Sequence, residues 1–323
     1  MKIDKNISVN YPILSKLFFT IFTLLVISIL FASSLFAEDF RTGLASLQIT
    51  PNAREDAMAG TGVTSAIGPS SMYYNPSLTG NLNSFAININ YTKWFLDTYE
   101  QSLFLVKPLG FLNLGLGIVN FNAGKFDFRP DYPTDEPTGY YKPNDFNFFL
   151  NLSRTITKNS YTTSFGISGR YYYEKIYEYD ATGIGADAGF AVKFPANVQL
   201  GFSIINFGTT MKFIREDFWL PTRLLGGVSY NIDFSNTELK PKVKITSDLG
   251  YLMYDGKFEI NSGIELSLKD KYFLRTGYKF IGNTNHLNFG FGLIVKNLRI
   301  EYAFSPYNLN LNTTHHFSLS LGY

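Results

Sequence analysis

The side chains of this sequence that could carry out acid–base, nucleophilic or metal chemistry are not arranged as a catalytic site. The three histidines are His286, His315 and His316, and there is no cysteine. Adjacent residues of a strand point to opposite faces, so the histidine pair predicts two exposed strand-end side chains, not a shared metal site. Serine, histidine and aspartate never occur in an arrangement such as G-x-S-x-G. We therefore predict that the protein is not an enzyme and has no catalytic, cofactor or metal site.

A second set of reactive side chains is charged and lies on one face of strand-like segments. Arg170 and Glu174 share a face of one segment, and Arg275 and Lys279 share a face of another. Mixed signs favour a paired network on the inner face of a barrel over a substrate path, and an ion channel would more naturally show one sign. The predicted lumenal network consists of Arg170, Glu259, Glu265, Arg275, Arg299 and Glu301.

The segments that carry these charges alternate between apolar and polar residues from Ser84 onward. In the first segment Phe85, Ile87, Ile89 and Tyr91 alternate with small or polar residues. One face of such a strand suits lipid and the other suits water, although a soluble β-sandwich would alternate in the same way.

Composition favours the membrane barrel over the sandwich. The sequence contains 31 Phe and 22 Tyr against 2 Trp, with 27 Gly and only 17% charged residues. Abundant aromatic residues and alternating hydropathy are typical of outer-membrane barrels. The net charge of +2 and the absence of a basic cluster argue against a nucleic-acid partner.

The lengths of the connections also favour the barrel. About fourteen strands are predicted between residues 84 and 323, and this even number places both chain ends on the periplasmic side. The connections predicted on that side are short, such as 108–110 and 269–270. The longest connections, Asn122–Asn144 and Gly208–Pro221, fall outside. This asymmetry is expected of an outer-membrane barrel and not of a sandwich.

The stretch Thr50–Leu78 is the one part that does not alternate. Thr50 can cap a short helix that has Pro51 at its first position and Gly60 just past its end. Asn75-Pro76 then predicts a turn into the first strand.

The motifs Ile49-Thr50-Pro51-Asn52-Ala53-Arg54, Ala57-Met58-Ala59-Gly60 and Tyr74-Asn75-Pro76 resemble the N-terminal pattern of the PorV/PorQ family. That family is related to the FadL-like transporters of hydrophobic molecules. Ser77 stands where many relatives have alanine. The resemblance covers about a tenth of the chain. It implies a plug inside the barrel, with the motif residues Thr50, Pro51, Arg54, Met58, Gly60, Gly62, Asn75 and Pro76.

The predicted fold is therefore all-β, a transmembrane antiparallel β-barrel of about fourteen strands with a short helical and coil plug in its lumen. The resemblance implies an accessory component of type IX protein secretion that docks a translocon subunit or secreted cargo. The alternatives are a FadL-like channel for hydrophobic small molecules and a purely structural barrel. Gly115 and Gly117 allow either a kinked third strand with a lateral exit or close packing against the plug.

The N-terminal residues have the layout of a signal peptide. Lysines precede an uncharged apolar run from Leu17 to Phe36, and small residues allow cleavage after Ala37. The alternative is a retained anchor. The predicted organisation is a signal peptide at 1–37, a plug segment at 38–83 and a barrel at 84–323, located in the outer membrane of a Gram-negative-type bacterium.

Partner contacts are predicted in the two long outer connections and at the C-terminus. The aromatic residues of the connections would contact a protein partner or, alternatively, cover the barrel mouth: Phe126, Phe128, Tyr140, Tyr141, Phe213, Phe218 and Trp219. The alternating C-terminal residues resemble the signal that the barrel-assembly machinery reads, or simply close the barrel: Phe317, Leu319, Leu321 and Tyr323. The other expected partner is outer-membrane lipid.

Overall fold

A computed structural model describes residues 42–234, 237–281, 284–307 and 313–322. The predicted signal peptide, its cleavage site, residues 38–41 and Tyr323 lie outside the described residues. The strands in chain order are Ala86–Lys93 (β1), Tyr99–Pro108 (β2), Asn113–Asn122 (β3), Phe126–Phe128 (β4), Gly139–Tyr141 (β5), Asn144–Lys158 (β6), Tyr161–Ile176 (β7), Tyr179–Lys193 (β8), Val198–Gly208 (β9), Met211–Phe213 (β10), Glu216–Phe218 (β11), Arg223–Asp233 (β12), Lys242–Leu252 (β13), Lys257–Leu268 (β14), Tyr272–Ile281 (β15), Thr284–Val295 (β16), Leu298–Ser305 (β17) and Thr314–Leu321 (β18).

Fourteen of these described strands form one closed antiparallel barrel, which confirms the predicted fold. The order around the wall is β1-β18-β17-β16-β15-β14-β13-β12-β9-β8-β7-β6-β3-β2. Closure is made by β1 and β18, whose register runs from Ile87 opposite Leu321 to Lys93 opposite His315. We call the end where β1 starts and β18 ends the periplasmic end, and the opposite end the outer end.

The wall separates an apolar outside from a polar inside because side chains alternate along each strand. In β1, Ile89 faces outward and is 52% exposed, whereas Asn88 and Asn90 are buried inside. Exposed leucine, isoleucine and phenylalanine side chains recur on the outer face of every region of the wall, and such a surface is stable only against lipid.

The wall has a local irregularity between β8 and β9. The pairing register shifts between Ala186 and Ala188, and Asn206 on β9 has a φ of 58°. Its backbone N–H donates to the Asp187 carboxylate (2.8 Å), and its amide oxygen accepts a hydrogen bond from the Tyr172 hydroxyl (3.1 Å). The extra residue therefore has its polar groups paired, as in a stable β-bulge.

Residues 42–82 lie inside the barrel, and we call them the plug. They contain one α-helix, Ala53–Ala57 (α1), and short 3-10 helices at Ala45–Gln48, Pro69–Tyr73 and Leu78–Asn81. Among the described residues, no helix is long and apolar enough to cross a membrane.

The predicted start of the plug helix is wrong by two residues. Asn52, not Thr50, precedes α1 and has extended backbone angles. Its side-chain amide contacts Glu55, three residues further on, and its carbonyl accepts the Asp56 N–H (3.1 Å). The Asn52 side chain makes no hydrogen bond to the backbone of the first turn, so the helix begins after the extended backbone of Asn52 and not at a side-chain cap. After the helix, Ala59 and Gly60 have positive φ, and the Gly60 N–H donates to the Glu55 carbonyl (2.7 Å).

The prediction of exposed histidines is wrong for two of the three. His316 is completely buried and His286 is 8% exposed, because both face the lumen. His316 Nε2 lies 3.4 Å from the Asp56 carboxylate of the plug helix. His315 points to the other face of β18, where its Nδ1 is 2.8 Å from the Tyr302 hydroxyl.

Candidate functional site: the plugged lumen

Arg54 fastens the plug helix to the barrel wall. Its guanidinium donates to Glu265 on β14 (3.0 and 3.2 Å), to Glu55 beside it (2.6 Å) and to the Ser65 carbonyl (2.8 Å). Arg54 and Glu55 are both almost completely buried. Burial raises the pKa of the Glu55 carboxyl above its ordinary value, and the adjacent Arg54 guanidinium opposes that change. The helix is therefore held by charge-assisted hydrogen bonds in a water-poor site.

Four residues of the predicted lumenal network meet directly at this point. Arg275 bridges Glu265 (2.6 Å) and Glu301 (2.8 Å), and Arg299 lies 3.4 Å from Glu301. With Arg54 and Glu55 they form one chain of alternating charges along β14, β15 and β17. The distances fit the predicted network at these four positions.

The other two predicted members belong to separate ion pairs. Arg170 on β7 donates to Asp187 on β8 (2.5 Å) and lies over the ring of Phe149, 4.2 Å from its centroid. Glu259 on β14 contacts Arg223 on β12. The sequence analysis did not single out Asp187 or Arg223, although Asp187 stands at an inward position of the β8 alternation.

Asp248 is a further anchor that the sequence analysis missed. Its carboxylate accepts the backbone N–H groups of Gly62 (2.7 Å) and Val63 (2.9 Å). It lies on β13 between the inward-facing Thr246 and Gly250. A charge at an inward position of an otherwise small or polar strand face is the signal that would have found it.

The remaining plug-motif residues pack against the wall or shape the plug. Met58 lies against Gly263 and Gly277, where a Cβ added to Gly277 would be 2.7 Å from the Met58 Cα. The Asn75 amide donates to the carbonyls of Val63 (2.8 Å) and Phe190 (3.2 Å). In addition, the Pro76 carbonyl accepts a hydrogen bond from Asn151 (3.1 Å), Pro51 is buried, and Thr50 lies beside Gly60.

The lumen has two chemically different sides. Most of the charged pairs described above lie on β12 to β17, whereas apolar side chains cover much of β2 to β8 around the Arg170–Asp187 pair. One apolar cluster comprises Ala66, Met72, Tyr73, Tyr74, Leu78, Phe104, Val106, Val119, Phe149 and Ala191, with Leu82 against it. A second, at the outer end, comprises Leu44, Leu47, Tyr172, Ala181, Met211 and Leu220. The two join where the Tyr73 hydroxyl donates to the Leu47 carbonyl (2.7 Å).

The third strand shows no kink at its glycines. Each residue of β3 from Asn113 to Asn122 is paired with β2 on one side and β6 on the other. Gly115 leaves room for Met72 of the plug, and Gly117 leaves room for Phe104, because added Cβ atoms would lie 2.6 and 2.7 Å from those side chains. Gly115 therefore shows the predicted close packing against the plug, whereas Gly117 packs against side chains of the wall itself.

The two long outer connections differ in what they contact. The β10–β11 hairpin packs Phe213 and Phe218 against the outer apolar cluster, and the Trp219 carbonyl accepts the Gly43 N–H (3.0 Å). Trp219 also stacks on Tyr254 at 4.5 Å. The β4–β5 hairpin instead leaves its aromatic side chains 39–56% exposed at Phe126, Phe128 and Tyr140, and Tyr141 stacks on Phe126. The first hairpin covers the mouth and the second projects from it.

The described C-terminal residues lie on the closing strand. Phe317, Leu319 and Leu321 all face outward on β18 and are 46–48% exposed. Tyr323 is outside the described residues. No group of three or more histidine and carboxylate side chains in the described part of the chain is arranged to hold a metal ion.

Fold and lumen together define a plugged membrane β-barrel of the outer-membrane type. No protein-family model matches the sequence, and no curated protein matches it. Solved structures do match the fold. The toluene transporter TbuX of Ralstonia pickettii is 12% identical, with a TM-score of 0.57 over 84% of this chain and 98% of the transporter.

Two further channels give the same result. The monoaromatic hydrocarbon channel CymD is 11% identical, with a TM-score of 0.59 over 84% of this chain and 97% of that one. The toluene transporter TodX of Pseudomonas putida is 12% identical, with a TM-score of 0.57 over 82% and 95%. The likeness is one of fold alone.

Proposed function

We propose that this chain is a non-enzymatic outer-membrane channel for small hydrophobic molecules, gated by the plug. The observation that carries the proposal is the apolar side of the lumen. It runs from Leu44 and Leu220 at the outer end to Leu78 and Leu82, just before β1. A hydrophobic molecule would cross along these apolar side chains, passing the Arg170–Asp187 pair, whose opposite charges are already matched.

The plug blocks that route in the observed state, so conduction requires the plug to move. Met72 and Tyr73 are completely or almost completely buried against the apolar wall. Apolar packing is non-directional and can be replaced by an apolar ligand, whereas the Arg54 ion pairs on the opposite side depend on fixed geometry. We therefore propose that the Met72 side of the plug shifts while the Arg54 side stays fastened.

A disulfide that fastens the plug tests this function. Asp56 of the plug accepts a hydrogen bond from Ser305 of β17 (2.7 Å), and the chain has no native cysteine. The double variant Asp56→Cys/Ser305→Cys would lock the helix, and Gly115→Cys/Met72→Cys would lock the apolar side. Toluene uptake is measured in cells that lack their own transporter, with the single variants as controls.

The expected result is toluene uptake above that of empty cells. Oxidation should abolish it in the Met72 pair, and a reductant should restore it. The Asp56 pair should retain most of the uptake. Uptake no greater than in empty cells would contradict a channel. Uptake unchanged by the Met72 lock would contradict a channel that is gated by the plug.

The second candidate is the PorV/PorQ-type role, an accessory component of type IX secretion. It is favoured by the N-terminal motif together with a filled lumen and the projecting aromatic β4–β5 hairpin. A docking protein needs a stable barrel and an exposed anchor surface, and Phe126 and Tyr140 supply such anchors. Co-purification from native membranes tests it. We expect the wild type to retain a large translocon subunit or secreted cargo and the variant Phe126→Ser/Tyr140→Ser to lose it. Recovery of the wild-type barrel without a partner would contradict the secretion role.

A further inference from the structure

Glu100 is a buried carboxylate for which the lumen provides no counter-charge. It lies at the outer end of β2, is 1% exposed, and neither carboxylate oxygen has a hydrogen-bond partner among the described residues. Its register partner on β3 is Phe121, whose own partner on β6 is Asp145. The two acids therefore lie at one level of the wall, two strands apart. A buried carboxylate without a partner either takes up a proton or binds a compensating cation.

A small cavity joins these two acids beneath the first turn of the plug. It measures about 10 Å³, and its walls are Leu44, Ser46, Leu47, Glu100, Val119, Phe121, Asp145, Phe146, Asn147 and Tyr172. That space holds one water molecule or one bare ion. No lysine or arginine lines it, and Glu174, the register partner of Asp145 on β7, adds a further acid at this level.

Asn147 supplies a second, independent sign of a missing ligand. It is 3% exposed, and both its amide oxygen and its amide nitrogen lack a partner among the described residues. Ser46 of the plug closes the same cavity by donating to the Asp145 carboxylate (2.7 Å). Four unpaired polar atoms of Glu100 and Asn147 thus line a space the size of one ion.

We propose that this cavity binds a small inorganic cation through the carboxylates of Glu100 and Asp145 and the amide oxygen of Asn147. Two carboxylates balance a divalent charge, and with the Ser46 hydroxyl the cavity offers up to six oxygens, the minimum that Ca²⁺ takes, whereas Mg²⁺ retains several waters for which there is no room. Because Asp145 also holds Ser46, the bound ion fastens the 45–48 turn of the plug to β2 and β6. A single water would leave the carboxylate charge uncompensated.

The site is tested with purified, chelator-treated protein in detergent micelles. Tb³⁺ takes the place of Ca²⁺, and its luminescence is excited through nearby tyrosine, of which Tyr172 lines the cavity. We expect Tb³⁺ luminescence that saturates and then falls when Ca²⁺ displaces the bound Tb³⁺. We also expect the unfolding temperature to rise on adding Ca²⁺. Mg²⁺, Na⁺ and methylammonium are titrated in parallel. A response to methylammonium alone, or to no cation, would overturn the proposal.

Matched variants assign the response to the cavity. Glu100→Gln should weaken Tb³⁺ binding roughly tenfold or more, since 1.4 kcal/mol corresponds to a factor of ten. Glu216→Gln makes the same chemical change at an exposed outer-loop position and should bind like the wild type. Asn147→Asp adds an oxygen ligand with a charge and should bind more tightly, which keeps the test decisive if Glu100→Gln fails to fold. Equal binding in Glu100→Gln and Glu216→Gln, or weaker binding in Asn147→Asp, would overturn the site. None of these results depends on what the channel conducts.

Discussion

At the scale of single residues, the buried arginines of the lumen stabilise the plugged barrel by pairing with buried carboxylates. This stabilisation requires both members of each pair. Arg54 satisfies two carboxylates and a carbonyl, and Arg170 pairs with one carboxylate while its flat face covers Phe149. Removing one member of a buried pair leaves the other charged and unpaired, which costs far more than loss of an exposed pair.

Arg54→Ala is expected to lower the free energy of unfolding by about 3–5 kcal/mol, because Glu55 would lose its buried counter-charge and Glu265 would keep only Arg275. Urea titration in micelles, followed by tryptophan fluorescence, measures the change. The matched control is Arg129→Ala, which removes an exposed pair with Asp127 and should cost less than about 1 kcal/mol. Equal losses in the two variants would show that Arg54 does not anchor the plug.

Gly277→Ala is expected to destabilise the plugged state by about 1–3 kcal/mol through overpacking. The new methyl group would lie 2.7 Å from the Met58 Cα, which is backbone and cannot move aside alone. Gly226→Ala is the control, since nothing lies within 4 Å of an added Cβ there. The same urea titration applies, and a Gly277→Ala curve that overlays the Gly226→Ala curve would contradict the close fit.

At the scale of elements, the two outer hairpins are similar in sequence character but differ in position. Both are short and antiparallel, and each carries two phenylalanines; the β4–β5 hairpin also contains tyrosine. The β10–β11 hairpin is drawn inward because Phe213 and Phe218 join the apolar cluster with Leu44 and Leu47. The β4–β5 hairpin has no such cluster beneath it, and its rings stack on one another and on Tyr177.

Phe218→Ala is expected to loosen the start of the plug without changing the barrel. Chymotrypsin cleavage near Leu44 and Leu47 should become several-fold faster, because local opening exposes a segment that packing now protects. Phe126→Ala in the other hairpin provides the control and should leave this cleavage at the wild-type rate. Mass spectrometry of the fragments identifies the cleaved bonds. Equal rates in both variants would show that the β10–β11 hairpin does not cover the plug.

At the scale of the whole molecule, wall and plug are expected to be separable. Deletion of residues 42–82 should leave a barrel that migrates differently on gels before and after boiling, because strand pairing closes the wall without the plug. In planar bilayers the deleted barrel should conduct ions steadily, whereas the full chain should be closed. A soluble product would contradict the barrel, and a closed deletion variant would contradict the plug as the block.

The sequence by itself determined the wall. A period of two residues, aromatic abundance and the asymmetry of connection lengths were sufficient to predict fourteen strands and their closure, because each strand must show one face to lipid and one to the lumen. The N-terminal motif located the plug, and the alternation placed Glu265, Arg275, Arg299 and Glu301 on inward faces, where the structure has them in contact.

Only the tertiary structure decided the register between neighbouring strands, and hence which inward-facing charges pair. Arg170 meets Asp187 and not Glu174, and Glu259 meets Arg223, because the partners of inward side chains depend on register and on the plug between them. For the same reason, the sequence could not show that the polar atoms of Glu100 and Asn147 are buried without hydrogen-bond partners. Alternation along one strand predicts that a side chain faces the lumen, but only the closed wall and the packed plug determine which groups that side chain contacts.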